Sequence, residues 1–109
     1  MTIRELLDRT SWKNDNPDLD LSRNITGGYA GDLLSWVMGR AEAGQAWVTI
    51  MSNINVVAVA ALTGVSCVIL AEGVEPDPGV AERALEKGIN LLGTGSPAFA
   101  ACLAVGQVL

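Results

Sequence analysis

The sequence predicts an α/β fold of three layers: a mostly parallel sheet of about four strands, flanked by helices. Three observations carry this. The short apolar runs AWVTIM, VSCVILA and INLL alternate with stretches of helical character, in the order strand, helix, strand, helix, strand, helix. The runs are apolar without alternation, as strands covered on both faces are. The 109 residues, half of them apolar, supply one core of ordinary domain size. Together they give a single domain over residues 1–109, with an N-terminal helix and loop at 1–20 and the core at 21–109.

Ile3 to Asp8 carries helix formers with Ile3, Leu6 and Leu7 on one face, so the chain opens on a short helix. Ser11 to Asp20, with Asn14, Asn16, Pro17 and three aspartates, reads as a loop. Leu21 to Thr26 is a weak strand that should end at Gly27-Gly28. Asp32 caps a helix over Leu33 to Met38, and Gly39 ends it. Glu42 to Gln45 is a turn, and Ala46 to Met51 is a strand. Ser52 or Asn53 caps a helix to about Leu62, closed by Gly64. Val65 to Ala71 is the next strand. Pro78 sits in the first turn of an amphipathic helix to Lys87, with Ala81, Ala84 and Leu85 inward, and Gly88 stops it. Ile89 to Leu92 is a last strand, and Ser96-Pro97 opens a final helix to about Val108.

Composition excludes several functions. The net charge is −5, and the seven basic residues are scattered, which argues against a nucleic-acid partner. There is no histidine, so a serine or cysteine nucleophile would lack its usual base, and no metal site is expected. Cys67 and Cys102 lie in apolar runs and read as reduced core thiols. The charged opening MTIRELLDRT lacks a signal-peptide core, and the expected location is cytoplasmic. Met51 to Ala71 and Gly88 to Leu109 contain no charged residue, yet polar residues and the break Gly93-Thr94-Gly95-Ser96-Pro97 divide them into shorter elements, so no membrane span is expected. The helices over Asn53–Leu62 and Pro97–Val108 are apolar all round. They should be buried on more than one side, with at least one against a second subunit or a protein partner.

The candidate site follows from sheet topology. Ligands of open parallel sheets sit beyond the carboxyl ends of the strands. Those ends should carry Gly27, Gly28, Ser52, Asn53, Glu72, Gly73, Thr94, Gly95 and Ser96, all on one edge, where free helix N–H groups favour a small anionic ligand. The same residue types serve as turns and caps whatever the function. Gly39 and Gly44 have the spacing of a phosphate loop but lack its lysine and hydroxyl residue, and they precede a strand rather than follow one. Asp32, Glu72 and Asp77 are the carboxylates available for acid–base work, and their ordinary roles are cap and solvated loop. No catalytic residue and no cofactor is expected.

The blocks ITGGYAGDLLSWVMG, WVTIMSNINVVAVAALTGVSCVILAEGVEPD and EKGINLL, in that order and spacing, resemble the DRTGG-domain family over roughly three quarters of the chain. They resemble most the small stand-alone members found near iron-hydrogenase genes in anaerobic bacteria. The resemblance implies a small α/β domain similar to the N-terminal, non-catalytic domain of HPr kinase/phosphorylase, of a kind that accompanies CBS domains or phosphate acetyltransferases in regulatory roles. The chain departs from the family where many members have Thr-Gly-Gly, with Ala71-Glu72-Gly73, and before the last helix, with Ala98-Phe99. The reading favoured is a non-catalytic regulatory or ligand-sensing domain, acting as a homodimer or on a partner and binding a small anionic ligand or nucleotide. The alternatives are an enzyme or accessory factor in metalloenzyme maturation or phosphoryl transfer, and an interaction module without ligand.

Overall fold

The computed structural model describes residues 1–109. Its elements run α1 (Ile3–Thr10), β1 (Lys13–Asn14), β2 (Gly27–Ala30), α2 (Leu34–Arg40), β3 (Gln45–Thr49), α3 (Asn55–Thr63), β4 (Cys67–Leu70), α4 (Val80–Lys87), β5 (Asn90–Gly93) and α5 (Ala98–Val108). The sheet has five strands in the order β1-β5-β4-β3-β2. Four are parallel, and β1 joins β5 antiparallel, Lys13 opposite Gly93. The fold class is thus the expected one, with a fifth strand formed by two residues of the segment read as a loop.

The parallel strands are laid down in chain order in one direction, and crossovers of a single hand then put their helices on one face. Val37 of α2, Val56, Val57 and Ala60 of α3, and Val80 and Ala84 of α4 share one core with Trp47, Val68, Leu70 and Leu91 of the sheet. The opposite face is covered by the two ends of the chain. Ile3 and Leu6 of α1 and Ala101 and Val105 of α5 pack on Ala46, Val48, Cys67, Ile69 and Leu92. Successive residues of β3 and β4 therefore feed different cores, so these strands are buried almost throughout.

Caps fix three helix ends. Thr2 and Glu5 form a reciprocal capping box at α1, and Gly64 and Gly88 close α3 and α4 in the left-handed conformation. Four local expectations are corrected. Leu21 to Thr26 is not a strand: it runs to β2, which contains Gly27 and Gly28. Asp32 does not cap α2, because its Oδ1 accepts from Thr49 Oγ1 at 2.8 Å and from the Ile50 amide at 2.9 Å, tying the exits of β2 and β3 together. Gly39 lies within α2, which ends at Arg40. In α4, Val80 joins Ala84 in making the buried contact, while Leu85 is exposed.

The two uncharged helices, α3 and α5, are each buried on one side only. Leu62 of α3 is 73% exposed and Phe99 of α5 is 72% exposed. No helix is long and apolar enough to cross a membrane.

Candidate functional site

The expected site residues fall into three groups. Gly27 and Gly28 pair with Gln45 and Ala46 at the start of β3, so they lie at the amino half of the sheet, not at its carboxyl edge. Neither has a positive φ. A side-chain carbon on Gly28 would lie 3.7 Å from Val105 Cγ1, which is ordinary contact. Gly28 thus faces Val105 of α5, whereas a side chain on Gly27 would meet only Gln45. Gly28 itself, with Tyr29, Val48, Cys102, Val105 and Leu109, lines an apolar cavity of about 310 Å³. The physical reason for the correction is register: pairing with β3 extends β2 through the glycines to Ala30, and the exit becomes Gly31-Asp32.

Ser52 and Asn53 do follow β3 at the carboxyl edge. Ser52 Oγ donates to Asp77 Oδ1 at 2.8 Å, and Asn53 Oδ1 accepts from the Asn55 amide at 2.9 Å. Both are engaged in holding loops and the start of α3.

The remaining five residues come together. The chain after β4 leads to α4 on one face, and the chain after β5 leads to α5 on the other. Neighbouring strands whose exits part in this way open a crevice at their carboxyl ends. The two exits are laced: the Glu72 amide donates to Ser96 O at 2.8 Å and the Gly73 amide to Thr94 O at 2.9 Å. Glu72 takes a φ of 61°, rare for a non-glycine residue, and its Oε2 accepts from the Ala98 amide at 2.9 Å. The positive end of α5 is therefore met by the chain's own carboxylate, and the anion seat expected there is filled by Glu72.

Beside this lacing lies a crevice of about 240 Å³, bordered by Gly73, Thr94 and Gly95 together with Lys13, Asp15 and Glu75. The last three were not legible as site residues, for an isolated lysine among loop aspartates carries no signal. They reach the crevice because β1 docks antiparallel on β5. Lys13 Nζ lies 3.0 Å from Glu75 Oε2 and 3.3 Å from Asp15 Oδ1. Bonds to Glu75, then to Asp15, raise the Lys13 pKa above its ordinary value, so it stays an ammonium. The Asp15 side chain is only 8% exposed, and its Oδ2 is buried without a partner.

Elsewhere, burial pushes the Cys67 thiol up to about 12, which makes it inert. No group of three or more histidine, cysteine or acidic side chains is placed to hold a metal ion. Asp32, Glu72 and Asp77 each hold a structural hydrogen bond, and no two of them share a hydrogen-bonding partner.

The fold and this edge define a class: a three-layer α/β domain with a crevice at the exits of two neighbouring parallel strands. A solved chain of that class is the CBS and DRTGG domain region of the regulatory region of Clostridium perfringens pyrophosphatase, described in complex with its activator, diadenosine tetraphosphate. The two superpose with a TM-score of 0.69 at 16% sequence identity, over 99% of this chain and 47% of that one. The likeness is one of fold, and it supports the DRTGG-like architecture; this chain spans about half the length of that neighbour. No protein-family model matches the sequence, and no curated protein matches it.

Proposed function

We propose that this chain is a non-catalytic regulatory domain that binds a small ligand, a nucleotide first among them, at the carboxyl edge of its sheet. The observation that carries this is the crevice between the exits of β4 and β5, polar, open, and bordered by a buried carboxylate oxygen without a partner. Its position is where parallel sheets bind ligands. The neighbour of like fold belongs to a regulatory region and carries a nucleotide activator, which makes nucleotides the first ligands to try. Membership of the DRTGG family, similarity to the HPr kinase/phosphorylase N-terminal domain, association with iron hydrogenases and a cytoplasmic location are part of the same proposal and rest on the sequence blocks quoted above. The test is thermal unfolding against a panel of nucleotides, diadenosine tetraphosphate included, and phosphorylated metabolites. A ligand at a hundredfold its dissociation constant adds about 2.7 kcal/mol of stability. No shift with any member of the panel would overturn the sensing role.

A second reading is favoured by one feature. The outer face of α5 presents Phe99 and Leu103, both more than half exposed, on a helix without a charged residue. Under this reading the chain is a homodimer or docks on a partner through that face. Light scattering at micromolar concentration checks it, and a monomer whose state is unchanged by Phe99→Asp counts against it.

A further inference from the structure

We propose that the crevice between the exits of β4 and β5 binds the vicinal hydroxyls of a sugar ring, held by Asp15 and Lys13 over the bare backbone of Gly93. The inference rests on the reading of the carboxyl edge as a ligand edge and specifies which part of a ligand enters.

The unpartnered Asp15 Oδ2 is the starting point. A buried carboxylate oxygen is costly to leave without a hydrogen bond, and being an acceptor it requires a donor. A phosphate group brings no donor when ionised and would face two carboxylates, Asp15 and Glu75, against one ammonium. A metal ion would find too few ligating side chains there. A hydroxyl both donates and accepts, and the crevice offers both partners. Asp15 Oδ2 accepts, the Lys13 ammonium donates, and the Glu75 and Gly95 amides donate to nothing within the chain. Two adjacent hydroxyls can bridge Asp15 and Lys13, whose charged atoms already lie 3.3 Å apart.

Gly93 is the second argument. It ends β5 with no positive φ, so the backbone does not demand glycine there. A side-chain carbon would sit 3.9 Å from Lys13 Cβ and 4.0 Å from Asp15 Oδ2, in ordinary contact. Glycine inside a strand weakens it, and its usual justification is the close approach of something else to the backbone. Here the missing side chain would stand over Lys13 and Asp15, the two residues at the polar end of the crevice. Size is the third argument. The crevice, about 240 Å³, equals the liquid volume of roughly eight waters, room for one sugar ring and not for a dinucleotide. The remainder of a larger ligand would lie outside it.

The test measures binding of D-ribose, D-glucose, adenosine and 2′,3′-dideoxyadenosine to the full chain by calorimetry. Adenosine should bind at least about tenfold more tightly than its dideoxy form, the loss expected when hydrogen bonds to a charged group are removed. Binding of a free sugar as tight as that of adenosine would assign the ring to a free carbohydrate; tighter adenosine would assign it to a nucleoside. Asp15→Asn should weaken either by about tenfold or more. Gly93→Val should abolish binding while leaving the melting temperature at or above that of the parent. Equal binding of adenosine and its dideoxy form, or parental binding by both variants, overturns the diol site while leaving the sensing role intact. No binding of any of the four overturns it as well, and the sensing role then stands or falls on the phosphorylated members of the wider panel.

Discussion

Two glycine-bearing regions of this chain read alike as sequence and differ in the fold. Gly27-Gly28 lies inside β2, paired with the start of β3, with Gly28 facing Val105 of α5. Gly73, Gly93 and Gly95 border a crevice at the opposite edge, where chain exits part and polar groups lack partners. The first region borders an apolar cavity, the second a crevice edged by hydrogen-bonded loops. The difference teaches that a glycine pair marks a close approach without saying what approaches. In β2 it is the chain's own helix.

Substitutions separate the two kinds of region by what they move: stability in the first, ligand binding in the second. The largest effect belongs to the core beside β2. Trp47 is fully buried, and its Nε1 donates to Gly31 O at 2.9 Å, holding the exit of β2. Trp47→Ala should cost about 3–5 kcal/mol and lower the melting temperature by more than about 10 °C. A loss below 1 kcal/mol in denaturant unfolding would mean that the apolar side does not carry the stability.

Next comes the core under α1 and α5, where Cys67 sits. Its thiol ionises near 12 in the folded chain and about 8.5 in an unfolded one. The folded pKa is the higher, so the stability it protects is whole below about pH 8.5 and declines as pH rises toward 12. The decline is about 1.4 kcal/mol per pH unit in that window. Cys67→Ala should flatten this alkaline fall relative to the parent, and parallel curves for the two proteins would refute it.

How much of this was legible depended on the range of the deciding interaction. Gly64 and Gly88 were readable as helix stops because a left-handed residue acts on its own helix. The rhythm of β3, β4 and β5 was readable because each strand is apolar on both faces. Gly27-Gly28 was misplaced because strand propensity favours β-branched residues, whereas the pairing of β2 with β3 is set by register between distant segments. Asp32 looked like a cap to the helix after it, and its carboxylate turned instead to Thr49 and Ile50. At the site, the meeting of Glu72-Gly73 with Thr94-Gly95-Ser96 followed from parallel strands. Lys13 and Asp15 did not, since only the docking of β1 on β5 brings them there.

Glu72 tests the boundary between the regions, because it belongs to the crevice edge by position and to the α5 framework by its bond. Glu72→Thr removes the acceptor of the Ala98 amide and puts a β-branched residue at a φ of 61°. The cost should be about 1–3 kcal/mol, from the lost cap and the strained backbone. Glu72→Gly keeps the left-handed conformation and loses only the cap, so it should cost less. The order of the two midpoints in urea is the measurement. Threonine no worse than glycine would show that the positive φ is not held in solution.

The smallest effect is expected where the sequence drew most notice. At Gly28 an added methyl group meets Ala46 O and Val105 Cγ1 at 3.7 Å each, both ordinary contacts. The position lies in a strand without a positive φ, so alanine takes its backbone conformation freely. Replacing a strand glycine also reduces the freedom of the unfolded chain, which favours folding by about 0.4–1 kcal/mol. Against this stands any small displacement of α5 by the new methyl. The two oppose each other, and Gly28→Ala should leave stability within about 0.5 kcal/mol of the parent, with ligand binding at the far edge unchanged. Gly28→Val adds two further methyl groups toward Val105 and should destabilise by overpacking, about 1–3 kcal/mol. Loss of ligand binding in the alanine variant, with its stability intact, would return Gly28 to the site and undo the division between the two glycine regions.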